Sequence, residues 1–166
     1  QYRPTLIILD DVDGDKNTYS ADSRGKVLNW FNSTVLNVKG GQNANFIAVG
    51  TLLHPDSLLS RLTGKKEYPD WGKRVERAVI KFSERKDLWQ TWSNILFSRG
   101  ETHNDVAGFE AANQFFADNK QAMLEGTEVL WEECEDYYAL MKTKEIEGSF
   151  SFDSEKQNDP TNIQDC

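Results

Sequence analysis

Cysteine and histidine are scarce in this chain of 166 residues, which contains two of each. Cys134 and Cys166 lie far apart, and so do His54 and His103, so neither pair has the short spacing of a zinc site. Two cysteines also make no disulfide framework, and a reducing cytoplasm is the environment that this usage predicts. We expect His54 to contact backbone at the start of a helix.

Long apolar runs are also missing. No run approaches the roughly 20 residues that a membrane-spanning helix needs, and no signal-peptide pattern is found. The sequence therefore predicts a protein without a membrane partner.

Positive charge is in deficit, because the net charge is -8. This balance argues against a nucleic-acid surface over the whole chain. The bases are concentrated between residues 61 and 86, where nine bases face four acids, whereas sixteen acids face four lysines between residues 101 and 166. Any phosphate contact is expected in the basic stretch, although a solvated surface loop is the favoured interpretation. The acidic half is expected to pack on other protein or to keep the domain soluble.

The chain opens with an apolar run that ends in two carboxylates, Thr5-Leu6-Ile7-Ile8-Leu9-Asp10-Asp11. A short continuous apolar run predicts a strand buried on both faces. Its carboxyl end is where open α/β sheets hold ligands, and Mg²⁺ on a nucleotide would offset the charge of the acids. This is the pattern of a Walker B strand, with Asp10 on the metal and Asp11 orienting the attacking water. The alternative is an ordinary strand end whose acids face solvent.

A second apolar run, 45–49, ends in Gly50-Thr51. Between the two runs, apolar residues recur at helical spacing, which predicts a helix that Ser20 or a neighbour caps and that Gly40-Gly41 ends. The members of that apolar face are Val27, Trp30, Phe31, Thr34, Val35 and Val38. Strand, helix, strand predicts parallel strands with a right-handed crossover.

In such a βαβ unit Asp10, Asp11 and Thr51 project from the same sheet edge, where a hydroxyl beside two carboxylates can sense a γ-phosphate. The alternative for Thr51 is a cap of the next helix, which Pro55 would open.

The remainder of the chain predicts a strand near 75–82 and then mainly helices. Aromatic and aliphatic residues repeat at helical spacing and predict core packing rather than base-stacking platforms. That interpretation covers Trp89, Trp92 and Trp131, and a further helical stripe begins at Cys134. Gly148 is expected to end the last helix.

Four segments together resemble the large terminase subunit of tailed bacteriophages. They are 6–12 (Leu-Ile-Ile-Leu-Asp-Asp-Val), 23–30 (Ser-Arg-Gly-Lys-Val-Leu-Asn-Trp), 47–59 (Ile-Ala-Val-Gly-Thr-Leu-Leu-His-Pro-Asp-Ser-Leu-Leu) and 148–160 (Gly-Ser-Phe-Ser-Phe-Asp-Ser-Glu-Lys-Gln-Asn-Asp-Pro). The last segment is similar to the connection between that family's ATPase and nuclease domains. The order and spacing of the four carry more weight than any one of them.

The resemblance implies a motor that hydrolyses ATP with Mg²⁺ to package viral DNA into a capsid and that cuts the concatemer with a nuclease domain. It matches Asp10 to the metal carboxylate, Asp11 to the catalytic carboxylate and Gly50-Thr51 to the motif that couples hydrolysis to movement. It implies double-stranded DNA, the portal protein and the small terminase subunit as partners, a homo-oligomeric motor, and the host cell cytoplasm as location. Many members carry Glu where Asp11 stands.

The resemblance also implies an α/β fold, a partial P-loop ATPase domain of the ASCE type with a mainly parallel sheet, followed by a helical linker. The expected domains are 1–100 for the second half of the ATPase core, 101–149 for the linker, and 150–166 for the approach to the nuclease.

No Gly-x-x-x-x-Gly-Lys-Ser/Thr motif occurs in the chain. We therefore expect the phosphate loop before Gln1 and the nuclease acids after Cys166, so that this piece alone does not hydrolyse ATP. Two other classes stay open. One is another P-loop motor such as a helicase, and the other is a non-enzymatic α/β interaction module.

Overall fold

A computed structural model describes residues 3–38, 44–64, 67–98 and 105–162. The chain mixes helices and strands and divides into two compact units. Unit 1 comprises Gln1–Glu76 and Ser149–Cys166, and unit 2 comprises Arg77–Gly148. The functional domain limits expected from the sequence stay a prediction.

The regular elements follow one another along the chain. They are β1 (Leu6–Asp10), α1 (Asp15–Thr18), α2 (Ala21–Trp30), a π-helical turn (Phe31–Val35), α3 (Leu36–Val38), β2 (Asn45–Val49), α4 (Leu58–Thr63), β3 (Val79–Lys81), α5 (Lys86–Leu96), α6 (Asp105–Met123), β4 (Glu128–Val129), α7 (Tyr137–Glu147), α8 (Ser149–Glu155) and a final 3₁₀ turn (Pro160–Asn162).

Strands β1 and β2 pair in parallel, with Leu6 opposite Asn45 and Asp10 opposite Val49. This confirms the predicted strand-helix-strand order. The prediction that the first strand is buried on both faces is wrong, because β1 and β2 each alternate between exposed and more buried residues. One face packs on the helices of unit 1. The other face leaves four aliphatic side chains about half exposed, namely Leu6, Ile8, Ile47 and Val49.

The connection between these strands is helical, as predicted, and Ser20 caps α2 by accepting a hydrogen bond from the Ser23 amide. Its apolar face differs from the prediction, because Phe31 and Val35 are buried whereas Trp30 and Val38 are over 40% exposed. The π-helical turn rotates the chain by a different angle per residue, so a strict 3.6-residue repeat does not continue through it. The predicted Gly40-Gly41 helix end lies outside the described residues.

The core of unit 1 forms where β1, the π-helical turn and α4 meet. Its buried members are Leu9, Phe31, Val35, Leu58, Leu59 and Leu62. Gly148 ends α7, but the prediction that it ends the last helix is wrong, because α8 follows it directly. Phe152 on α8 is fully buried.

Unit 2 contains the antiparallel pair β3–β4 and the helices α5, α6 and α7. The predicted strand near 75–82 is therefore shorter than expected. Trp92, Ala112 and Met123 are buried together, and Trp89 packs against this cluster, as the helical spacing predicts. Trp131 is 65% exposed, which contradicts its assignment to the core.

The prediction that a helical stripe begins at Cys134 is wrong. Asp136 caps α7 by accepting a hydrogen bond from the Ala139 amide, so the helix begins at Tyr137 and leaves Cys134 exposed before it. Tyr137 and Met141, which continue this stripe at helical spacing, are buried, as core packing predicts.

Tyr137 anchors the start of α7 to the end of β3. Its hydroxyl accepts a 2.9 Å hydrogen bond from the Ser83 amide, and both residues are buried. Burial raises the pKa of the Tyr137 hydroxyl above its usual value, although the hydrogen bond from Ser83 opposes that effect.

We predict that Tyr137→Phe lowers the free energy of unfolding by about 1–3 kcal/mol, because the buried Ser83 amide loses its acceptor. Chemical denaturation followed by tryptophan fluorescence measures this change. Tyr19→Phe is the matched control, since Tyr19 is 89% exposed, and it should change stability by less than about 0.5 kcal/mol. Equal stability of the two variants would contradict the prediction.

Candidate functional site

The two acids predicted from the sequence lie at the carboxyl end of the parallel strand pair. Asp10 is the last residue of β1 and faces Val49, the last residue of β2. The Asp11 amide donates a 2.9 Å hydrogen bond to the Val49 carbonyl, which extends the pairing by one residue. Both Asp10 and Asp11 are exposed. The strand ends thus present two adjacent carboxylates to solvent.

Asp11 turns the chain sharply at this point, because its φ is 50°. Aspartate and asparagine adopt this left-handed conformation more readily than longer or branched residues do. The conformation gives a physical reason for a short acid at this position.

Gly50 allows the two strand ends to approach each other. A Cβ atom placed on Gly50 would lie 3.3 Å from both the Cα and the Oδ1 of Asp11, and 2.7 Å from the Cδ1 of Leu59. The absence of a side chain at Gly50 therefore leaves the space into which the Asp11 carboxylate fits.

Thr51 follows Gly50 directly and is partly buried. The alternative in which Thr51 caps the next helix is wrong, because Ser57 caps α4 by accepting a hydrogen bond from the Ser60 amide. Pro55 lies in a turn before α4 rather than in its first turn. The structure thus brings Asp10, Asp11 and the Gly50-Thr51 backbone to the same end of the strand pair.

Asp13 is a structural residue of this site that the sequence pattern did not predict. Its side chain is 2% exposed and accepts hydrogen bonds from two amides of α4, Leu58 at 3.2 Å and Leu59 at 2.6 Å. A buried carboxylate needs such donors, and the first turn of a helix offers free amides. Asp13 thereby fixes the loop that carries Asp10 and Asp11 onto α4. The signal for it was a third acid within four residues.

His54 contacts backbone, as expected. Its Nδ1 accepts a 3.0 Å hydrogen bond from the Asp56 amide, and its carbonyl accepts from the Ser57 amide and the Ser60 hydroxyl. His54 therefore organises the turn between Thr51 and α4. His103 lies outside the described residues.

Two arginines of unit 1 are engaged in contacts that hold the fold together. Arg24 is buried, donates a 2.8 Å hydrogen bond to the Thr18 carbonyl and pairs with Asp56 at 3.6 Å. Arg61 pairs with Asp56 and with Glu67. Both arginines therefore take part in contacts within unit 1.

Local carboxylates neutralise much of the basic stretch between residues 61 and 86. Besides Arg61, Arg74 pairs with Glu76, Lys81 with Glu128, and Arg85 with Asp87. The hydrogen bonds from Arg85 lower the pKa of Asp87 to about 2. This pattern favours a solvated surface over a phosphate-binding track. Lys65 and Lys66 lie outside the described residues.

The strand-end acids suit Mg²⁺ on a nucleotide better than a metal held by protein alone. In the described part of the chain, no group of three or more His, Cys, Asp or Glu side chains is arranged to hold a metal ion. Mg²⁺ in phosphoryl-transfer sites takes one or two carboxylates and completes its shell with phosphate and water oxygens. Asp10 and Asp11 meet that smaller requirement.

Comparison with known proteins gives no match, since no family model, curated protein or solved structure is similar enough to the chain. Among the residues that the structure describes, none of the helices has the length and apolar character needed to cross a membrane.

We predict that Gly50→Ala destabilises unit 1 by about 1–3 kcal/mol, because the added methyl group enters a packed space beside Leu59 and Asp11. Chemical denaturation followed by circular dichroism measures the loss. The matched control is Gly72→Ala, because a Cβ on Gly72 meets nothing within 4 Å. If both variants unfold at the same denaturant concentration, the close approach at Gly50 is not a constraint.

Proposed function

We propose that this chain is part of the ATPase of a viral DNA-packaging motor, the large terminase subunit that the sequence resembles. The observation that supports this proposal most is the pair of acids at the end of β1, held beside Gly50-Thr51 by the hydrogen bond from Asp11 to Val49. In open α/β sheets, ligands bind beyond the carboxyl ends of the strands, which is the end at which these acids lie.

The exposed face of the strand pair gives independent support for one part of the proposal, that this unit belongs to a larger domain. Parallel sheets are covered on both faces in folded proteins. Here the aliphatic side chains of Leu6, Ile8, Ile47 and Val49 are between 46% and 59% exposed on one face. In the proposed ATPase, further helices and strands of the parent protein cover this face, and the phosphate loop lies on one of those elements.

Each residue has a defined role in the proposed reaction, which is phosphoryl transfer from ATP to water. Bound Mg²⁺ supplies charge neutralisation on the phosphate oxygens. Asp10 holds this ion, and Asp11 orients the attacking water and accepts its proton. Thr51 lies on the adjoining loop, where its hydroxyl senses the γ-phosphate. The left-handed backbone at Asp11 sets the position from which its shorter side chain acts.

The further partners and the location follow from the same proposal. They are double-stranded DNA, the portal protein, the small terminase subunit and other copies of the motor subunit, in the host cell cytoplasm. A nuclease activity belongs to a separate domain of the parent protein. A helicase-type motor would use the same strand-end acids and is distinguished by a second RecA-like domain in place of aspartate-bearing nuclease strands.

We predict that Asp10→Asn and Asp11→Asn, made in the parent protein that carries the phosphate loop, each lower kcat for ATP hydrolysis by at least about 100-fold. Each change removes a negative charge at the metal or at the water and preserves side-chain size. Steady-state phosphate release measures turnover, and circular dichroism checks that the fold is intact. Asp22→Asn is the control, because Asp22 is exposed on α2 and pairs with Lys26. Turnover at the wild-type rate in either site variant removes the proposed role.

We predict that Thr51→Ala keeps the affinity for ATP within about twofold of the wild-type value. The amount of DNA packaged per ATP hydrolysed should fall by about fivefold or more, because the variant lacks the hydrogen bond through which the hydroxyl detects the γ-phosphate. Nucleotide titration and a DNA-protection packaging assay measure the two quantities. Thr51→Ser restores the hydroxyl and should restore packaging. Full packaging by Thr51→Ala would leave Thr51 without a coupling role.

A further inference from the structure

The side chain of Asn158 joins three segments of unit 1 that are far apart in the sequence. Its Oδ1 accepts a 3.0 Å hydrogen bond from the Leu52 amide, 106 residues away. Its Nδ2 donates a 2.9 Å hydrogen bond to the Glu76 carbonyl, 82 residues away. One amide group therefore satisfies a donor on one loop and an acceptor on another.

One partner of Asn158 lies beside the candidate site, and the other lies at the end of the first segment of unit 1. Leu52 follows Thr51, so the first hydrogen bond holds the loop of the candidate site. Glu76 is the last residue of unit 1 before the chain enters unit 2, and the chain returns to unit 1 at Ser149, nine positions before Asn158. Asn158 lies on the segment by which the chain returns to unit 1. Its side-chain amide connects the Thr51 loop to Glu76, the residue at which the chain leaves unit 1.

The segment that carries Asn158 is itself anchored. Phe152 is fully buried, Gln157 and Pro160 are buried, and the Asp159 amide donates a 2.8 Å hydrogen bond to the Asp153 carbonyl. Asn158 has a φ of 48°, a conformation that asparagine tolerates better than most residues. The amide is therefore presented in a fixed direction.

Only a side-chain amide provides both contacts at this place. A carboxylate of the same shape accepts from Leu52 but cannot donate to the Glu76 carbonyl, and an aliphatic side chain does neither. Loss of the Asn158 side-chain amide removes one hydrogen bond from the Leu52 amide and one from the Glu76 carbonyl, and both contacts are partly buried.

We infer that Asn158 is a positioning residue that links the state of the Thr51 loop to the chain connection into unit 2. When the loop moves, the Leu52 amide moves with it, and the shared amide group carries that displacement to Glu76. The link between segments stands on its own, whereas its use during ATP hydrolysis rests on the function proposed above.

The first experiment tests the link by amide hydrogen exchange at Leu52 in this 166-residue chain. Asn158→Gly removes both contacts and tolerates the positive φ, so it separates loss of the amide from backbone strain. We expect exchange at Leu52 to become about five- to tenfold faster, the equivalent of one hydrogen bond. Asn158→Ala should show the same acceleration with added strain.

Asn37→Gly is the control for this experiment. The Asn37 side chain is exposed and bonds to carbonyls of its own helical segment, Asn32 and Ser33. The Asn37→Gly variant should leave the rate of amide hydrogen exchange at Leu52 unchanged. An unchanged exchange rate at Leu52 in Asn158→Gly overturns the inference.

The second experiment tests the use of the link in the parent protein. We expect Asn158→Gly to keep kcat for ATP hydrolysis within about twofold and to lower DNA packaged per ATP by about fivefold, because the amide contacts neither nucleotide nor metal. Equal packaging per ATP in Asn158→Gly and wild type overturns the coupling role. Failure of wild type to hydrolyse ATP would instead refute the proposed function and leave the exchange result at Leu52 standing.

Discussion

The parallel pairing of β1 with β2 is the constraint on which the candidate site depends. Its register places Asp10 opposite Val49, and the hydrogen bond from Asp11 to Val49 continues it past the end of the strand. The two carboxylates at the end of β1 are thereby held beside the loop that follows β2. A shift of one residue would turn the side chains of one strand to the opposite face. It would bury an acid and expose the aliphatic residues that now pack in the core.

The loops at the strand ends are held from two directions. Asp13 fixes the loop after β1 by accepting hydrogen bonds from the first amides of α4. Asn158 fixes the loop after β2 through the Leu52 amide. Asp13 supports the loop of the two acids, where positioning and electrostatic stabilisation would carry most of the catalytic work in the proposed reaction. Asn158 supports the separate Thr51 loop. The exposed acids can then face a ligand while Asp13, which holds their loop, is buried.

The sequence predicts the strand pair well because apolar runs, helical spacing and turn residues are local signals. The positions of Asp10 and Asp11 at a strand end follow from the same pattern. The burial of only one face of the strand pair does not follow from this pattern, because an apolar run does not show which neighbours cover a strand. The π-helical turn at Phe31 alters the helical repeat without a local signal, and Asp13 and Asn158 act through partners tens of residues away. Trp131 carries an apolar side chain but belongs to no regular element, so helical spacing never constrained it.

The position of the divalent cation of a bound nucleotide tests the proposed role of Asp10 most directly. Mn²⁺·ATP is added to the parent protein with labelled valine and threonine methyl groups, and Mg²⁺·ATP is the diamagnetic reference. We expect strong paramagnetic broadening of the Val49 and Thr51 methyl signals, and loss of that broadening at Thr51 when Asp10→Asn prevents metal retention. Bound Mn²⁺·ATP that leaves the Val49 and Thr51 signals sharp would contradict that role.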